Sequence, residues 1–416
     1  MIAWSAPPVP VLPGPADRPV VRLRDASGQL KDSTVGPSAT MYVCGITPYD
    51  STHLGHAATY LAFDVLRRAW MDAGVLVQHA SNVTDVDDPL LERAAATGVD
   101  WRDLAADQTA RFFRDMTALR VLPPDTYLAV SETVPQIAEV VVALVGGDAA
   151  YQVPTDEAAG PGDVYADLSV DPAFGSVAGL DEATMRALFA ERGGDPDRPG
   201  KRHPLDPLLW RRERPGEPAW DGGVLGRGRP GWHVECAVIA AAGLGPVVDV
   251  QGGGRDLVFP HHEMSTSHAR LLGTTVRVQA HAGLVAYAGQ KMSKSLGNLV
   301  FVSTLLADGA EASALRLAVH AHHYREDWEW TDDQLVAAHQ RLDRWRAAVA
   351  RPAGAPAEPL LAAVRAALAD DLDTPTALAA IDAWAQADGP DETAPALVGA
   401  LTDALLGIEL SASHGR

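Results

Sequence analysis

One stretch, residues 39–73, leaves few choices for the fold. An apolar run at 39–43 is followed by a polar turn at 47–51 and then by apolar residues at helical spacing over 57–73. The string His53-Leu54-Gly55-His56 lies where the turn meets the helix. Free backbone N–H groups and the helix dipole make such a helix start an anion site. The pattern predicts a strand, turn and helix of a nucleotide-binding α/β fold, with both imidazoles beside a phosphate.

Lysine is concentrated in one short segment. The chain has four lysines, and two of them occur in Lys291-Met292-Ser293-Lys294-Ser295. Two ammonium groups separated by small residues suit a triphosphate, because they can neutralise charge as pyrophosphate leaves. An isolated pair of this kind is more often an exposed loop with solvated lysines. The upstream histidine motif favours the catalytic interpretation, in which the catalytic residues are His53, His56, Lys291 and Lys294.

Composition restricts the class of protein and of partner. The 416 residues are 47% hydrophobic and 21% charged, as in a soluble globular chain of two or three domains. We find no membrane-spanning run and no leader, so we expect a cytoplasmic protein without membrane contact. We also expect a monomer. The net charge is −20, and from Ala353 onward ten acidic residues stand against two arginines. Such a surface repels RNA, so no tRNA partner is expected.

The two cysteines suggest a metal site. Cys44 follows the first apolar strand, and Cys236 closes Gly231-Trp232-His233-Val234-Glu235-Cys236, upstream of the pair His261-His262. In a cytosolic chain each cysteine would usually be a small buried residue. Together with one of the paired histidines, however, they would form a zinc site with an open coordination position. Such a zinc ion would bind a substrate thiolate and would select cysteine over serine by coordination.

Taken in order, the motifs resemble those of cysteinyl-tRNA synthetases over residues 20–305, and Lys291 to Ser295 is the signature of class I synthetases. The resemblance implies that the zinc ligands are Cys44, Cys236 and His261, and Ser265 stands where that family has a further carboxylate ligand. The motifs are Cys44-Gly45, His53-Leu54-Gly55-His56, Asn82-Val83-Thr84-Asp85-Val86-Asp87-Asp88, the segment that ends at Cys236, Gly252-Gly253-Gly254-Arg255-Asp256-Leu257, Phe259-Pro260-His261-His262-Glu263 and the lysine segment.

The departures from that pattern point to a paralogous family. Ile46 and Pro48 replace the usual residues after Cys44-Gly45, and Pro89 replaces the lysine of the usual Asp-Asp-Lys. The tail after residue 305 is short and acidic. The chain also carries a segment that alone would indicate only a tight turn, Glu191-Arg192-Gly193-Gly194-Asp195-Pro196. This combination resembles the mycothiol cysteine ligases, which join cysteine to the amine of glucosaminyl-inositol.

The resemblance implies an AMP-forming ligase that uses ATP with Mg²⁺, L-cysteine and glucosaminyl-inositol, with one Zn²⁺ per chain. Trp232 could equally be a core residue, since an indole buries a large area. For His233, His262 and Glu263 we expect structural roles. The implied contacts to substrate and adenylate are Cys44, Gly45, Ile46, Thr47, Thr59, Asn82, Val83, Thr84, Trp232, Gly254, Arg255, Asp256 and Val285.

The predicted fold is α/β: a class I synthetase-like Rossmann domain with an inserted connecting region and a C-terminal helical bundle. We expect the first half of the Rossmann domain over 1–120, the insertion over 121–210, the second half over 211–305 and the helical domain over 306–416. Two alternatives stay open at this stage. One is a short cysteinyl-tRNA synthetase, and the other is a non-catalytic module, against which the intact motifs argue.

Overall fold

The first half of the chain forms a hairpin and three parallel strands with their helices. The computed structural model describes residues 3–14, 18–155, 162–292 and 297–410. The predicted strand, turn and helix at 39–73 are confirmed, with the helix beginning at Leu54 and His53 as its N-cap. The elements are β1 (Arg22–Arg24), β2 (Leu30–Asp32), β3 (Ser38–Ile46), α1 (Leu54–Asp72), β4 (Leu76–Val83), α2 (Asp88–Thr97), α3 (Trp101–Ala118) and β5 (Thr126–Ala129).

An insertion with its own antiparallel sheet follows β5. Its four strands pair in sequence order, and the last of them ends at Pro230, past the end predicted for the insertion at 210. The strand β5 belongs to the main sheet, although the insertion was predicted to start before it. The elements are α4 (Val130–Gly146), β6 (Ala150–Val153), β7 (Asp163–Ala166), α5 (Glu182–Glu191), β8 (Leu208–Arg212) and β9 (Gly228–Pro230).

The chain then completes the main sheet with α6 (Trp232–Leu244), β10 (Val247–Gly254), α7 (Glu263–Leu271) and β11 (Thr275–Ala282). All five strands are parallel, in the order β11-β10-β3-β4-β5. The order reverses between β3 and β10, so the chain leaves in opposite directions from these two neighbours. In such sheets ligands bind at the carboxyl ends of the strands at this switch point. The predicted Rossmann-type α/β class is confirmed.

The remainder is a small sheet and a helical region. Its first two helices, Val302–Ala307 and Ala312–His320, are separate, because Gly309 between them has a φ of +100° and ends the first. The last helix was not predicted. The elements are β12 (Val285–Tyr287), β13 (Gln290–Lys291), α8 (Val302–Ala307), α9 (Ala312–His320), β14 (Trp328–Trp330), α10 (Asp332–Val349), α11 (Glu358–Ala369), α12 (Thr374–Gln386) and α13 (Ala394–Leu406).

A buried charge network joins this helical region to the main domain. Asp64 on α1 accepts hydrogen bonds from Arg68 at 2.8 Å and from Arg316 on α9 at 2.5 Å. Arg316 also donates to the backbone oxygen of Leu406 at the end of α13, at 2.9 Å. Burial alone would raise the pKa of Asp64, but the two guanidinium groups lower it to about 2. In the described parts of the chain, no helix is both long and apolar enough to span a membrane.

Candidate active site

A bulge in β3 aims Cys44 at the switch point. Opposite β4, Val43 pairs with Ser81 and Ile46 with Val83, so β3 carries one extra residue here. At the bulge, a Cβ on Gly45 would lie 1.5 Å from the backbone oxygen of Asn82, so only glycine fits. The Asn82 side chain holds the turn by accepting from the Gly45 N–H at 2.8 Å. The bulge therefore places the Cys44 sulfur at the carboxyl end of the sheet.

Three predicted ligands meet beside this bulge. The Sγ atoms of Cys44 and Cys236 and a ring nitrogen of His261 all lie within 4.8 Å of one another. The side chains are buried, with 6%, 2% and 1% of their surface exposed. They come from three different elements: β3, α6 and the turn before α7. This is the only group of three potential ligands among the described residues.

The donor set and its surroundings fit a zinc ion. Two sulfurs and one imidazole are a usual zinc donor set, and a fourth position would be left for a substrate. Nε2 of His261 is buried and makes no hydrogen bond of regular geometry, as a metal-binding nitrogen requires. The hydrogen bond with Cys44 and burial both raise the pKa of the Cys236 thiol. A cation at this position would reverse that effect and hold both sulfurs as thiolates.

The neighbouring imidazoles orient these ligands. Nδ1 of His261 shares a hydrogen bond of 3.1 Å with Nδ1 of His233, which leaves Nε2 of His261 for the metal. The Trp232 ring stacks on His261 with centroids 4.1 Å apart. Burial first, and then His261, lower the pKa of His233 well below its usual range, so this ring is neutral. The structure thus gives Trp232 a stacking contact with one of the three predicted metal ligands.

His262 supports the opposite ligand. Its Nε2 lies 3.2 Å from the Cys44 sulfur, and its Nδ1 lies 2.8 Å from Nε2 of His281 on β11. These two contacts agree with the structural role expected for His262, which stays a prediction. Sequence reasoning missed His281, because nothing in the chain indicates that the end of β11 lies beside His262. The order of the strands supplies that contact.

Glu263 and Ser265, which follow the two histidines, make hydrogen bonds within the protein and are not part of the predicted metal site. The Glu263 carboxylate accepts three backbone N–H groups of the insertion, those of Gly175, Val177 and Ala178, at 2.8–2.9 Å. These contacts agree with the structural role expected for Glu263, which stays a prediction. Ser265 accepts a hydrogen bond from Gln251 at 3.1 Å and is not part of the ligand cluster.

The two histidines of the first motif lie together at the start of α1. Nδ1 of His53 accepts from the Gly55 N–H at 3.1 Å, so His53 caps the helix. Its ring stacks on His56 with centroids 3.8 Å apart. Both side chains line the cleft that opens at the switch point. This position agrees with the predicted contact with phosphate.

The lysine segment lies partly outside the described residues. Gln290 and Lys291 form β13, which pairs antiparallel with β12, and Met292 is buried with 4% of its surface exposed. Ser293, Lys294 and Ser295 are not described. Met292 lines the same cleft as His53 and His56. The strand β13 therefore brings the lysine segment to this cleft, and the roles of Lys291 and Lys294 stay predictions.

One cleft of about 1400 Å³ joins most of the predicted contacts. This exceeds the usual range for a small-ligand pocket, so two substrates can fit. Asn82, Val83 and Thr84 are buried and do not line the cleft, because they brace the bulge from behind. Arg255 points away and pairs with Asp327 at 2.9 Å. The predicted residues that do line it are Cys44, Gly45, Ile46, Thr47, Thr59, Trp232, Gly254, Asp256 and Val285.

The segment at 191–196 forms part of the wall. Arg192 donates through Nη1 to the backbone oxygens of Asp256, at 2.6 Å, and of Phe259. It thereby ties the insertion to the turn that carries His261. Asp195 accepts from Tyr165 and, at 2.9 Å, from Lys201, whose side chain is 2% exposed. The segment is a fixed element of the site and more than a surface turn.

Comparison with known proteins agrees with this geometry. The model of the class I (C) tRNA synthetase catalytic domain matches residues 31–340. An L-cysteine:1D-myo-inositol 2-amino-2-deoxy-alpha-D-glucopyranoside ligase of Cellulomonas flavigena is 63% identical over 418 residues, covering 99% of this chain and 100% of that one. The chain belongs to this ligase family. A Streptomyces coelicolor ligase of the same name is 56% identical with the same coverage.

Solved structures agree with the fold expected of this ligase family. Methionyl-tRNA synthetase of Mycobacterium tuberculosis bound by methionyl-adenylate superposes with a TM-score of 0.60 at 16% identity, covering 89% of this chain and 92% of that one. A leucyl-tRNA synthetase of Agrobacterium radiobacter gives a TM-score of 0.62 at 13% identity, covering 90% of this chain and 85% of that one. The predicted membership in the cysteine ligase family is confirmed by the full-length relatives.

Proposed function

We propose that this protein adenylates L-cysteine with ATP and transfers the cysteinyl group to the amine of glucosaminyl-inositol, a step of mycothiol biosynthesis that releases pyrophosphate and AMP. The observation that carries the proposal is the cluster of Cys44, Cys236 and His261 at the inner end of a synthetase-type cleft. A cysteine-specific site in this fold, in a chain 56–63% identical to ligases of that name, supports this activity.

Cysteine selection follows from the donor set. Zn²⁺ held by Cys44, Cys236 and His261 would supply a soft Lewis acid that takes the substrate thiolate. Trp232 and His233 hold the His261 ring in place, and His262 holds the Cys44 sulfur. A serine hydroxyl gains little from such a site, so the enzyme needs no editing domain to reject serine.

Activation of cysteine takes place at the start of α1. The substrate carboxylate attacks the α-phosphate of ATP, which carries Mg²⁺, and pyrophosphate leaves. His53 and His56 stabilise the charge on the α-phosphate together with the free N–H groups of the helix. Lys291 and Lys294 are proposed to neutralise the departing pyrophosphate. Gly254, Asp256 and Val285, which line the same part of the cleft, are proposed to contact the adenylate.

Transfer forms an amide. The amine of the acceptor attacks the carbonyl carbon of cysteinyl-adenylate, and AMP leaves with the electron pair of the broken C–O bond. No tRNA takes part in this proposal, because the chain carries a net charge of −20. A monomeric state and a cytoplasmic location stay predictions.

The test is AMP release from ATP, Mg²⁺ and cysteine, with either glucosaminyl-inositol or bulk tRNA as acceptor. Cysteine-dependent AMP that only the aminosugar stimulates is the expected result. Stimulation by tRNA alone would identify a short cysteinyl-tRNA synthetase and overturn the proposal. Serine in place of cysteine serves as the matched control, and we expect no AMP above background with it.

A further inference from the structure

The cleft has a side that the activation of cysteine does not use. Opposite His53 and His56, its wall is built by α2 and by the insertion sheet. Arg229 on β9, with a side chain 7% exposed, pairs with Asp88 and, at 3.2 Å, with Glu217. Glu217 also pairs with Arg211 on β8 at 2.9 Å. These alternating charges form a rigid polar wall suited to the hydroxyl groups of a sugar.

The charge of this cleft favours a cationic acceptor. Its described lining includes eight acidic side chains and four arginines. Each arginine already has a protein partner. Arg192 donates to two backbone oxygens and Arg198 pairs with the Asp163 carboxylate, while Arg211 and Arg229 form the ion pairs described above. The excess is therefore acidic, and it attracts the ammonium form in which an aminosugar is largely present at neutral pH.

Asp87 stands where this wall meets the cysteine site. It caps α2, and its Oδ1 accepts the Asp88 N–H at 2.8 Å. Its Oδ2 makes no hydrogen bond or ion pair with any described residue, although the side chain lines the cleft. Burial first, and then the charge of Asp87, raise the pKa of Glu235, the neighbour of Cys236, so Asp87 lies close to the cysteine site.

We propose that Asp87 is the catalytic base of the transfer step. The inference rests on the proposed function. The Asp87 carboxylate takes one proton from the acceptor ammonium, and the neutral amine then attacks the carbonyl carbon of cysteinyl-adenylate. A C–N bond forms and the C–O bond to phosphorus breaks. The nitrogen loses its second proton to the phosphate of the leaving AMP, which completes the amide.

The environment of Asp87 suits this role. Burial raises the pKa of its carboxyl to about 6, although the Asp88 N–H acts in the opposite direction. A base of this strength is mostly ionised at neutral pH and still accepts a proton readily. Arg229 is held by Asp88 and Glu217, so it does not occupy the Asp87 carboxylate. Of the two acids of α2 that line the cleft, Asp88 pairs with Arg229 and Glu92 is exposed.

The experiment compares the two half-reactions in Asp87→Asn. Asparagine also caps helices, so the start of α2 is preserved. We expect cysteine-dependent exchange of pyrophosphate into ATP to stay within about twofold of the wild type. AMP release with glucosaminyl-inositol should fall by about 10²-fold or more, the usual contribution of a general base. Hydroxylamine, which is largely uncharged at neutral pH, should still trap cysteinyl-adenylate at the wild-type rate.

Asp100→Asn at the start of α3, which also keeps a helix cap and lies outside the lining of the cleft, is the matched control and should change neither half-reaction. If Asp87→Asn keeps the wild-type rate of AMP release with the aminosugar, Asp87 is not the base. If it loses pyrophosphate exchange as well, Asp87 acts in activation or in folding, and the inference fails. Failure of the wild type to release AMP with the aminosugar would instead refute the proposed function, so the two failures can be told apart.

Discussion

At the scale of single residues, the cysteine site depends on three side chains that are far apart in sequence. Cys236→Ser should reduce bound zinc from about one per chain to near zero and abolish cysteine-dependent pyrophosphate exchange, because an alcohol is a poor zinc ligand. Metal analysis after dialysis against a weak chelator measures the first effect. Ser265→Ala should keep its zinc, since Ser265 contacts Gln251 and is outside the ligand cluster. Zinc loss in Ser265→Ala would show that three protein ligands are too few.

The glycine of the bulge has an equally strict role. Gly45→Ala places a methyl group 1.5 Å from the backbone oxygen of Asn82, so β3 must move and carry Cys44 with it. We expect a destabilisation of at least about 2 kcal/mol, as for other overpacked sites, together with weaker zinc binding. Urea unfolding measures the change in stability, and metal titration measures the change in zinc affinity. Gly36→Ala, where an added Cβ meets nothing within 4 Å, should behave as the wild type; equal behaviour of both variants would contradict the tight contact.

The sequence predicted which residues form the cysteine site better than it predicted how they are arranged in space. The sequence indicated two cysteines and one of two adjacent histidines, but spacing alone could not decide between His261 and His262. The difference is geometric: the His261 ring is turned towards the sulfurs by His233, whereas His262 bridges Cys44 and His281. These partners lie on other elements, so no local pattern contains them. Asn82 and Thr84 were expected to contact the substrate or the adenylate, but they lie behind the bulge. No local sequence pattern indicates that position either.

At the scale of elements, Arg192 links the insertion to the catalytic domain. Arg192→Met keeps most of the side-chain volume but removes Nη1, the one nitrogen that donates to the backbone oxygens of both Asp256 and Phe259. The turn that carries His261 then loses its support. We expect kcat/KM for cysteine to fall by about 10-fold or more, since an unpaired buried acceptor costs about 1–3 kcal/mol. Steady-state pyrophosphate exchange measures this.

Arg186→Met on α5 is the control for that variant. Arg186 pairs with Asp197 on the surface, where both side chains are largely exposed, at 51% and 83%. Exposed pairs of this kind contribute little to stability. We therefore expect unchanged kinetics. A similar loss in both variants would mean that the insertion responds to any loss of positive charge, and the specific role of Arg192 would be wrong.

The elements of the parallel sheet were easier to predict than those of the helical region. The strands β3 and β10 contain short, mostly apolar runs, which periodicity and length identify. The C-terminal helices are rich in alanine, so their boundaries depend on single residues such as Gly309 and on packing. Helix α13 was missed, although Val398, Leu401 and Leu405 are nearly fully buried. Their burial becomes apparent only when α13 packs against α1, which is distant in sequence.

At the scale of the whole molecule, the Asp64 network should make stability depend on acid pH. The carboxylate is fully buried, and its pKa is lowered to about 2 despite burial, because Arg68 and Arg316 hold its charge. A group whose pKa is lower in the folded state contributes stability above its unfolded value, about 3.9, and loses it as pH falls towards 2. This difference of almost two pKa units corresponds to about 2–3 kcal/mol.

Asp64→Asn tests this coupling between the catalytic domain and the helical region. It leaves two guanidinium groups buried without their anion, so we expect a loss of about 3–5 kcal/mol in the free energy of unfolding at neutral pH. Between about pH 4 and pH 2 the gap between wild type and variant should narrow, because the wild type protonates Asp64 in that range. Asp107→Asn, which breaks the exposed pair with Arg111, is the control and should change stability by less than about 0.5 kcal/mol. Urea unfolding over this pH range measures the free energy of unfolding of the wild type and of the two variants. A constant gap between wild type and Asp64→Asn would show that the network does not set the acid stability of the protein.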